Sequence, residues 1–232
     1  PDEVLNVHIN GTQAVLKLAY KHNRKVVFSS TSEVYGTAVY TPIDESHPLQ
    51  GQSPYSATKI AADKMAEAYS CSFGLPVVTL RPFNTFGPRQ SARAVIPTII
   101  TQALAGNTVR LGSLDPVRDF TFVADTVRAF LLATEKEEAV GKTIHTGSGI
   151  GISIGDLARK VLLQVNPSAR ILSGEGRVRP ERSEVMRLVC DSRRAWEILG
   201  WRPEVALDEG LSRTIGWIRD HLGSYKAGRY TV

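Results

Sequence analysis

A chain of 232 residues is long enough to bury a core and suits one large domain, or one and a half. Its composition, 42% hydrophobic and 22% charged, is that of an ordinary globular protein, and no apolar run approaches the roughly 20 residues of a membrane span. The net charge is +5, but the arginines are scattered, which favours a phosphate-bearing small molecule over nucleic acid. With two distant cysteines and no signal-peptide pattern, we expect a cytoplasmic protein without disulfides, membrane contact or a metal site.

Hydrophobic periodicity predicts helices alternating with short buried strands. Predicted helices cover 3–22, 53–72, 95–104, 124–134, 154–165, 192–199 and 207–222. Predicted strands cover 25–30, 76–82, 109–111, 120–123 and 143–147, and predicted loops cover 37–53 and 84–92. This alternation predicts an α/β fold: a partial doubly wound parallel sheet with a smaller C-terminal α/β subdomain. We expect 1–90 to belong to the first unit and 91–222 to the second, with about 120–147 returning to the first sheet and 223–232 forming a tail.

The most informative pair of residues is Tyr55 and Lys59, which lie four apart on the second predicted helix and so share one face. A phenol has a reference pKa of about 10, and a nearby ammonium favours the phenolate. The pair is therefore suited to take a proton from an alcohol, as oxidation of a sugar hydroxyl requires. The spacing alone is weak, because it occurs by chance in many helices. A cluster of hydroxyl and carboxylate residues just upstream, in Ser29–Glu33, strengthens it.

Three segments follow one another in order: SSTSEVYG at 29–36, SPYSATK at 53–59 and RPFNTFGPR at 81–89. Together they resemble the extended short-chain dehydrogenase/reductases that act on nucleotide sugars, the NAD-dependent epimerase/dehydratase family. Residues 90–98, 179–185 and 199–201 most resemble the 4,6-dehydratases of legionaminic-acid biosynthesis. Those enzymes convert a nucleotide-linked N-acetylglucosamine to a 4-keto-6-deoxy sugar. The resemblance implies a Rossmann-like first domain, NAD as cofactor, a UDP- or GDP-linked sugar as substrate, and a homodimer formed through helices 3–22 and 53–72.

The resemblance also implies a role for each motif residue. Tyr55 would deprotonate the sugar 4-hydroxyl, Lys59 would lower the tyrosine pKa and bind the nicotinamide ribose, and Thr31 would hydrogen-bond the same sugar oxygen. Glu33 would remove the proton from the adjacent ring carbon, and Ser32 stands where related dehydratases often have an acidic aspartate. The implied cofactor-binding residues are Ser29, Ser30, Tyr55, Lys59, Pro82 and Phe83. The implied substrate-binding residues are Asn84, Arg93, Ala94, Val95, Arg110, Leu111, Arg118 and Arg179.

Two features leave the activity open. Serine is a poor acid, and Thr-Ser-Glu at 31–33 also occurs in UDP-glucuronate decarboxylases, so decarboxylation and 4-epimerisation remain alternatives to dehydration. The Gly-x-x-Gly-x-x-Gly turn of a dinucleotide-binding unit does not occur, and the chain opens on a predicted helix. The family's N-terminal unit would then precede Pro1. We therefore expect this chain to bind NAD weakly. It would be either an enzyme that is inactive by itself or a non-catalytic module for nucleotide-sugar binding or assembly. We also expect self-association, through the exposed strand edge at 26–29 or through the two interface helices.

Overall fold

The computed structural model describes residues 2–173 and 185–225. It alternates helices and short strands in the order that the hydrophobic pattern predicts. The helices are α1 (Asp2–Leu5), α2 (Thr12–Lys21), α3 (Pro54–Phe73), α4 (Val95–Ala105), α5 (Val123–Glu135), α6 (Ile154–Val165), α7 (Arg193–Leu199) and α8 (Leu207–Asp220). The strands are β1 (Val26–Ser29), β2 (Val77–Pro82), β3 (Asn84–Phe86), β4 (Thr108–Leu111), β5 (Val117–Phe122), β6 (Thr143–Thr146), β7 (Gly151–Ser153), β8 (Arg170–Ser173) and β9 (Arg187–Leu188).

The first sheet is parallel, with strand order β1-β2-β6. Successive residues of β2 face opposite sides of this sheet. Val77 packs with Ala66 of α3, whereas Val78 packs with Ala129 of α5, so one helix covers each face. This arrangement confirms the predicted α/β class with a parallel sheet.

The second part of the chain is built around β5, which changes partners along its length. Phe120–Phe122 pair in parallel with β3, whereas Val117–Asp119 pair antiparallel with β7, and β9 also joins this end. A separate parallel pair consists of β4 and β8. Helices α4, α6 and α8 bury their apolar faces against one another and against β5. Strand β5 therefore pairs with β3 through its C-terminal half and with β7 and β9 through its N-terminal half.

Two sequence predictions need correction. The helix predicted over 3–22 is not regular, because Asn6–Gly11 forms a π-helical segment between α1 and α2. The segment 84–92, predicted as a loop, begins with strand β3. Strands β7, β8 and β9 were not predicted; β7 and β9 have three and two residues, too few for an alternating pattern to be distinctive.

Candidate active site

The carboxyl end of β1 leads into the first part of the site. Thr31 has extended backbone geometry and begins a 3-10 turn over Ser32–Tyr35, and its hydroxyl accepts from the Glu33 amide at 3.2 Å. Glu33 is half-buried, whereas Ser32 is only 2% exposed. The turn therefore presents Thr31 and Glu33 and packs Ser32 inward, away from solvent.

Helix α3 supplies the second part. It begins at a capping box in which the Ser53 hydroxyl accepts from the Ser56 amide at 3.1 Å and the Ser56 hydroxyl accepts from the Ser53 amide at 3.0 Å. Pro54 at the first helical position further fixes the start, because its ring holds a helical φ. The first two turns thus place Tyr55 and Lys59 on a helix whose beginning is well defined.

Lys59 joins the helix to β1. Its Nζ donates to the Ser29 carbonyl at 2.6 Å and lies 4.8 Å from the centroid of the Phe28 ring. Burial lowers the pKa of Lys59, and the Asp63 carboxylate raises it. The ammonium is therefore held at the end of β1, where the resemblance places the nicotinamide ribose.

Tyr55 keeps 43% of its surface exposed and interacts with both Thr31 and Glu33. Burial raises the pKa of the Tyr55 phenol, the hydrogen bond from the Thr31 hydroxyl lowers it, and the Glu33 carboxylate raises it. The sequence motif had suggested Lys59 as the group that lowers this pKa. In the structure the opposing contribution comes from Thr31. The structure thus brings Thr31, Glu33, Tyr55 and Lys59 together at one edge of the sheet.

One residue beside this group was missed from the sequence. His8, in the π-helical segment, has its ring 5.2 Å from that of Tyr55 in an edge-to-face arrangement. Its Nδ1 lies 2.9 Å from the Thr58 hydroxyl, which donates to the carbonyls of Pro54 and Tyr55, so Nδ1 carries the proton. Burial and the charge of Lys59 lower the pKa of His8. In the sequence, His8 is a histidine on the inward face of a predicted helix, and that position does not indicate which residue it contacts.

The predicted cofactor residues lie at the ends of the parallel strands. Ser29 is exposed, and the Ser30 hydroxyl is buried without a hydrogen-bond partner among the described residues. Pro82 ends β2 and is half-buried. Phe83 is 1% exposed and its ring packs in the core against His145, so only its backbone faces the strand ends. An unpaired buried hydroxyl at this edge fits a polar group of a bound ligand.

A cavity of about 320 Å³ gathers most of the predicted substrate residues. It lies between the start of β3, the start of α4 and the end of β4. The predicted residues that line it are Asn84, Arg93, Ala94, Val95 and Leu111. Two side-chain oxygens in its wall, Asn84 Oδ1 and Gln90 Oε1, are buried without a hydrogen-bond partner in the described part of the chain. Gln90 was not predicted as a site residue.

Two predicted substrate residues lie outside this cavity wall. Arg110 is exposed on β4, and Arg118 is 8% exposed in β5, where its Nη1 donates to the Val117 carbonyl at 3.0 Å. Neither lines the cavity that holds Leu111. Arg179 lies outside the described residues.

Comparison with known proteins places this site in a family. A profile of the GDP-mannose 4,6-dehydratase family matches residues 1–214. The chain belongs to the NAD-dependent epimerase/dehydratase family. It is 31% identical to the dTDP-D-glucose 4,6-dehydratase of Mus musculus over 229 residues, which are 97% of this chain and 64% of the relative. The chain thus spans about two thirds of the length of the curated relatives it matches.

Solved structures agree with this assignment. The UDP-glucose 4-epimerase of Thermotoga maritima, solved with UDP-glucose, matches with a TM-score of 0.87 and 30% identity over 94% of this chain and 71% of that one. The dTDP-glucose 4,6-dehydratase of Bacillus anthracis, solved with NAD, matches with a TM-score of 0.85 and 27% identity over 96% of this chain and 70% of that one. The family predicted from the three motifs is confirmed at this level.

Within 2–173 and 185–225, no helix has the length and apolarity needed to cross a membrane. Over the same ranges, the His, Cys, Asp and Glu side chains form no group of three suited to hold a metal ion.

Proposed function

We propose that this protein contributes the catalytic and substrate-binding residues of an NAD-dependent nucleotide-sugar 4,6-dehydratase acting on UDP- or GDP-N-acetylglucosamine. The observation that carries the proposal is the convergence of Tyr55, Thr31 and Glu33, in which the phenol has the Thr31 hydroxyl as a hydrogen-bond partner and feels the charge of the Glu33 carboxylate. Dehydration needs two proton acceptors close together, one for the sugar alcohol and one for the carbon acid beside the new ketone. The match of 90–98 to the legionaminic-acid enzymes supports the choice of sugar.

The side chains divide the work as follows. Tyr55 takes the proton of the 4-hydroxyl, and Thr31 donates a hydrogen bond that stabilises negative charge at that position. Glu33 is half-buried and its charge acts on the same phenol, which supports assigning to it the removal of the proton from the carbon next to the ketone. Ser32 is buried and is not placed to act as the acid for the leaving hydroxide, which leaves that role to Glu33 once protonated, or to water.

The residues at the strand ends are suited to the nicotinamide half of NAD. Lys59, Tyr55 and the unpaired hydroxyl of Ser30 would hold its nicotinamide ribose side. When bound, NAD supplies the hydride acceptor for the sugar alcohol and the hydride donor that completes the deoxy carbon. The described ranges 2–173 and 185–225 contain no glycine-rich turn between a strand and a helix that would bind the pyrophosphate. The 232-residue chain is therefore expected to bind NAD weakly by itself.

Substrate binding is assigned to the cavity lined by Asn84, Arg93, Ala94, Val95 and Leu111. Apolar residues on its wall suit a nucleobase, and a guanidinium suits a phosphate. Titration calorimetry of the 232-residue chain with UDP and GDP tests this part without NAD. Arg93→Ala is expected to weaken binding several-fold, whereas Arg89→Ala, exposed and outside the cavity wall, is expected to leave it unchanged. Binding of neither nucleotide would count against the assignment.

Turnover is tested with the protein, NAD and each N-acetylglucosamine nucleotide, and mass spectrometry detects the loss of one water. Tyr55→Phe removes the phenol and is expected to lower the rate by about 10²–10⁴-fold. Tyr20→Phe, an exposed tyrosine on α2, is the matched control and is expected to retain the wild-type rate. If the wild type turns the substrate over in excess NAD and Tyr55→Phe is equally active, the assignment of the base is refuted.

Decarboxylation is the second candidate, because Thr31-Ser32-Glu33 lacks the aspartate that dehydratases often carry and Ser32 is buried. UDP-glucuronate is the discriminating substrate. Loss of carbon dioxide from it, with no loss of water from either N-acetylglucosamine nucleotide, would replace the first proposal with the second. Binding of nucleotide sugars without turnover of any of them would favour a non-catalytic binding module.

A further inference from the structure

Three buried polar side chains connect the 3-10 turn of the candidate site to helix α3, and none of them has a role in the proposed chemistry. Arg81 on β2 donates from Nε to Asp63 Oδ2 at 2.9 Å, and its Nη2 lies 2.8 Å from the same oxygen. Its Nη1 donates to the hydroxyl of Tyr35. The side chains of Arg81 and Asp63 are 7% and 3% exposed, and Tyr35 is fully buried. One guanidinium therefore binds the turn through Tyr35 and the helix through Asp63.

The hydroxyl of Tyr35 is held from a second side by His145 on β6. His145 Nδ1 lies 3.1 Å from the Ile43 carbonyl, and because a carbonyl only accepts, Nδ1 carries the proton. Burial lowers the pKa of His145 to about 3, so the ring is neutral and Nε2 accepts from Tyr35. The Tyr35 hydroxyl donates its only proton to His145 and so accepts from Arg81. Each of these hydrogen bonds has one direction, which fixes the Tyr35 hydroxyl between β2 and β6.

The rest of the 3-10 turn is tied to Tyr35 through its backbone. The Thr31 hydroxyl accepts from the Glu33 amide at 3.2 Å, and the Gly36 amide donates to the Glu33 carbonyl at 3.3 Å, so the turn is closed at both ends. Tyr35 lies inside it, two residues after Glu33. Holding the Tyr35 side chain therefore holds the segment that carries Thr31 and Glu33.

Helix α3 extends the contact to the phenol of Tyr55. Asp63 and Tyr55 belong to one uninterrupted helix, eight residues or about two turns apart. The Tyr55 phenol is hydrogen-bonded to the Thr31 hydroxyl, which belongs to the turn. Arg81 thus joins, through Tyr35 and Asp63, the two elements whose separation sets the distance between Thr31 and Tyr55.

Apolar packing also joins the turn to the helix, because Val34 and Tyr35 share a buried cluster with Ile60 of α3. Packing of this kind is non-directional, whereas the planar fork of a guanidinium binds in a fixed geometry. A buried ion pair is weak support for stability, since apolar residues of similar volume often stabilise a core as well. The contribution that apolar residues could not make is the orientation of the turn relative to the helix.

We propose that Arg81 is a positioning residue, which holds the 3-10 turn against helix α3 so that the Thr31 hydroxyl stays within hydrogen-bonding distance of the Tyr55 phenol. The inference deepens the proposed function, on which it rests for the roles of Thr31 and Tyr55. The contacts of Arg81 belong to the described chain and require neither substrate nor NAD. A displacement of about 1 Å in an active site can lower a rate by about 10²-fold, so this arrangement bears on turnover.

The test replaces Tyr35 by phenylalanine, which removes the hydroxyl that Arg81 holds and keeps the ring in the core. The charges of Glu33, Lys59 and Arg81 remain. The readout is the pH titration of the Tyr55 phenol without substrate or NAD, followed by ¹⁹F NMR of 3-fluorotyrosine incorporated at that position alone. Because the hydrogen bond from Thr31 lowers the pKa of this phenol, loss of the bond in Tyr35→Phe is expected to move the midpoint to higher pH.

Two further variants calibrate the titration. Thr31→Val removes the hydrogen bond directly and sets the shift that its loss produces. Tyr35→Phe added to Thr31→Val is expected to give no further shift, because both substitutions act on the same contact. Tyr40→Phe is the matched control: its exposed hydroxyl donates to Asp44, outside this chain of hydrogen bonds, and the Tyr55 midpoint is expected to stay unchanged.

A folded Tyr35→Phe protein with an unchanged or lower Tyr55 midpoint would overturn the inference, and so would an equal further shift in the Thr31→Val background. If Tyr35→Phe does not fold, the double variant Arg81→Met with Asp63→Leu decides, because it removes the contact and leaves no unpaired buried charge. A higher midpoint in that variant supports the inference, and an unchanged or lower one rejects it.

Turnover gives a second readout where the wild type is active in excess NAD. Tyr35→Phe is expected to lower kcat by up to about 10²-fold and to leave the KM for the nucleotide sugar unchanged, since the cavity assigned to the substrate lies on other elements. An unchanged kcat, or a change in KM alone, would contradict the role of Arg81. If the wild type is inactive on every nucleotide sugar, the proposed reaction fails, and the titration still decides whether Arg81 positions the turn.

Discussion

Replacing Gly210 by alanine is expected to destabilise the protein, whereas the same change at Gly216 of the same helix is expected to stabilise it. Both glycines lie within α8, where alanine is the better helix former by about 1 kcal/mol. A methyl group at Gly210 would lie 2.7 Å from Phe86 Cζ and 2.9 Å from Phe122 Cδ2. A methyl group at Gly216 would meet no atom within 4 Å.

The magnitude follows from how firmly the two rings are held. Phe86 and Phe122 are 1% and 5% exposed, with ring centroids 5.7 Å apart in an edge-to-face arrangement. Overpacking a core of this kind costs about 1–3 kcal/mol, which offsets the helix-propensity gain and leaves a net loss of up to about 2 kcal/mol for Gly210→Ala. Gly216→Ala keeps the gain alone, about 0.5–1 kcal/mol.

Urea unfolding followed by circular dichroism measures both free energies of unfolding. The slope of the free energy with urea concentration must stay constant, so that a changed midpoint reports stability alone. The prediction concerns the difference between the two variants, which cancels the propensity term common to both. If Gly210→Ala proves as stable as Gly216→Ala, the close approach of α8 to the two rings does not constrain this position and the reasoning is wrong.

Three further predictions concern other parts of the chain. Burial lowers the pKa of His145 to about 3, so between about pH 6.5 and 3 the unfolded state binds a proton at this residue and the folded state does not, and the free energy of unfolding should fall as the pH drops through this range. His145→Gln should weaken this pH dependence in acid unfolding curves, whereas His22→Gln, at an exposed position, should leave it unchanged. Ser53→Ala removes the cap of α3 and should cost about 1 kcal/mol in thermal or urea unfolding. Leu18 on α2 is 60% exposed, and Leu18→Lys should lower the mass measured by light scattering if this helix forms the expected homodimer. Leu163→Lys on α6, at a position 72% exposed, should leave the mass unchanged. Equal masses for the wild type and Leu18→Lys would count against that interface.

The sequence was most informative where one element carries both a periodic pattern and a start signal. Ser53-Pro54 announces α3, and the predicted helix 53–72 differs from the observed Pro54–Phe73 by a single residue at each end. The spacing of Tyr55 and Lys59 therefore predicted a shared face. The motif did not show that Lys59 would turn towards the Ser29 carbonyl, because that contact depends on the distance between α3 and β1.

Other parts of the site depend on tertiary packing and carry little local signal. His8 contacts Tyr55 from within the π-helical segment, and the hydrophobic pattern of 3–22 does not distinguish that segment from a regular helix. The buried pair of Asp63 and Arg81 joins residues 18 apart on a helix and a strand, and the motif that contains Arg81 does not indicate its partner. The predicted roles of Arg110 and Arg118 rested on the family pattern, and the structure places both outside the cavity wall.

The π-helical segment also constrains insertions and deletions in the helical region 2–21. One residue added to or removed from a regular helix rotates everything beyond it by about 100° around the axis. On one side of Asn6–Gly11 the chain is anchored by Leu16, packed with Ala66 and Val77, and within the segment by His8 on Thr58. Both anchors bear on α3, and π-helical residues lie between them. A single-residue deletion there would release one anchor or the other, so the segment should tolerate substitutions at its exposed positions far better than any change in its number of residues.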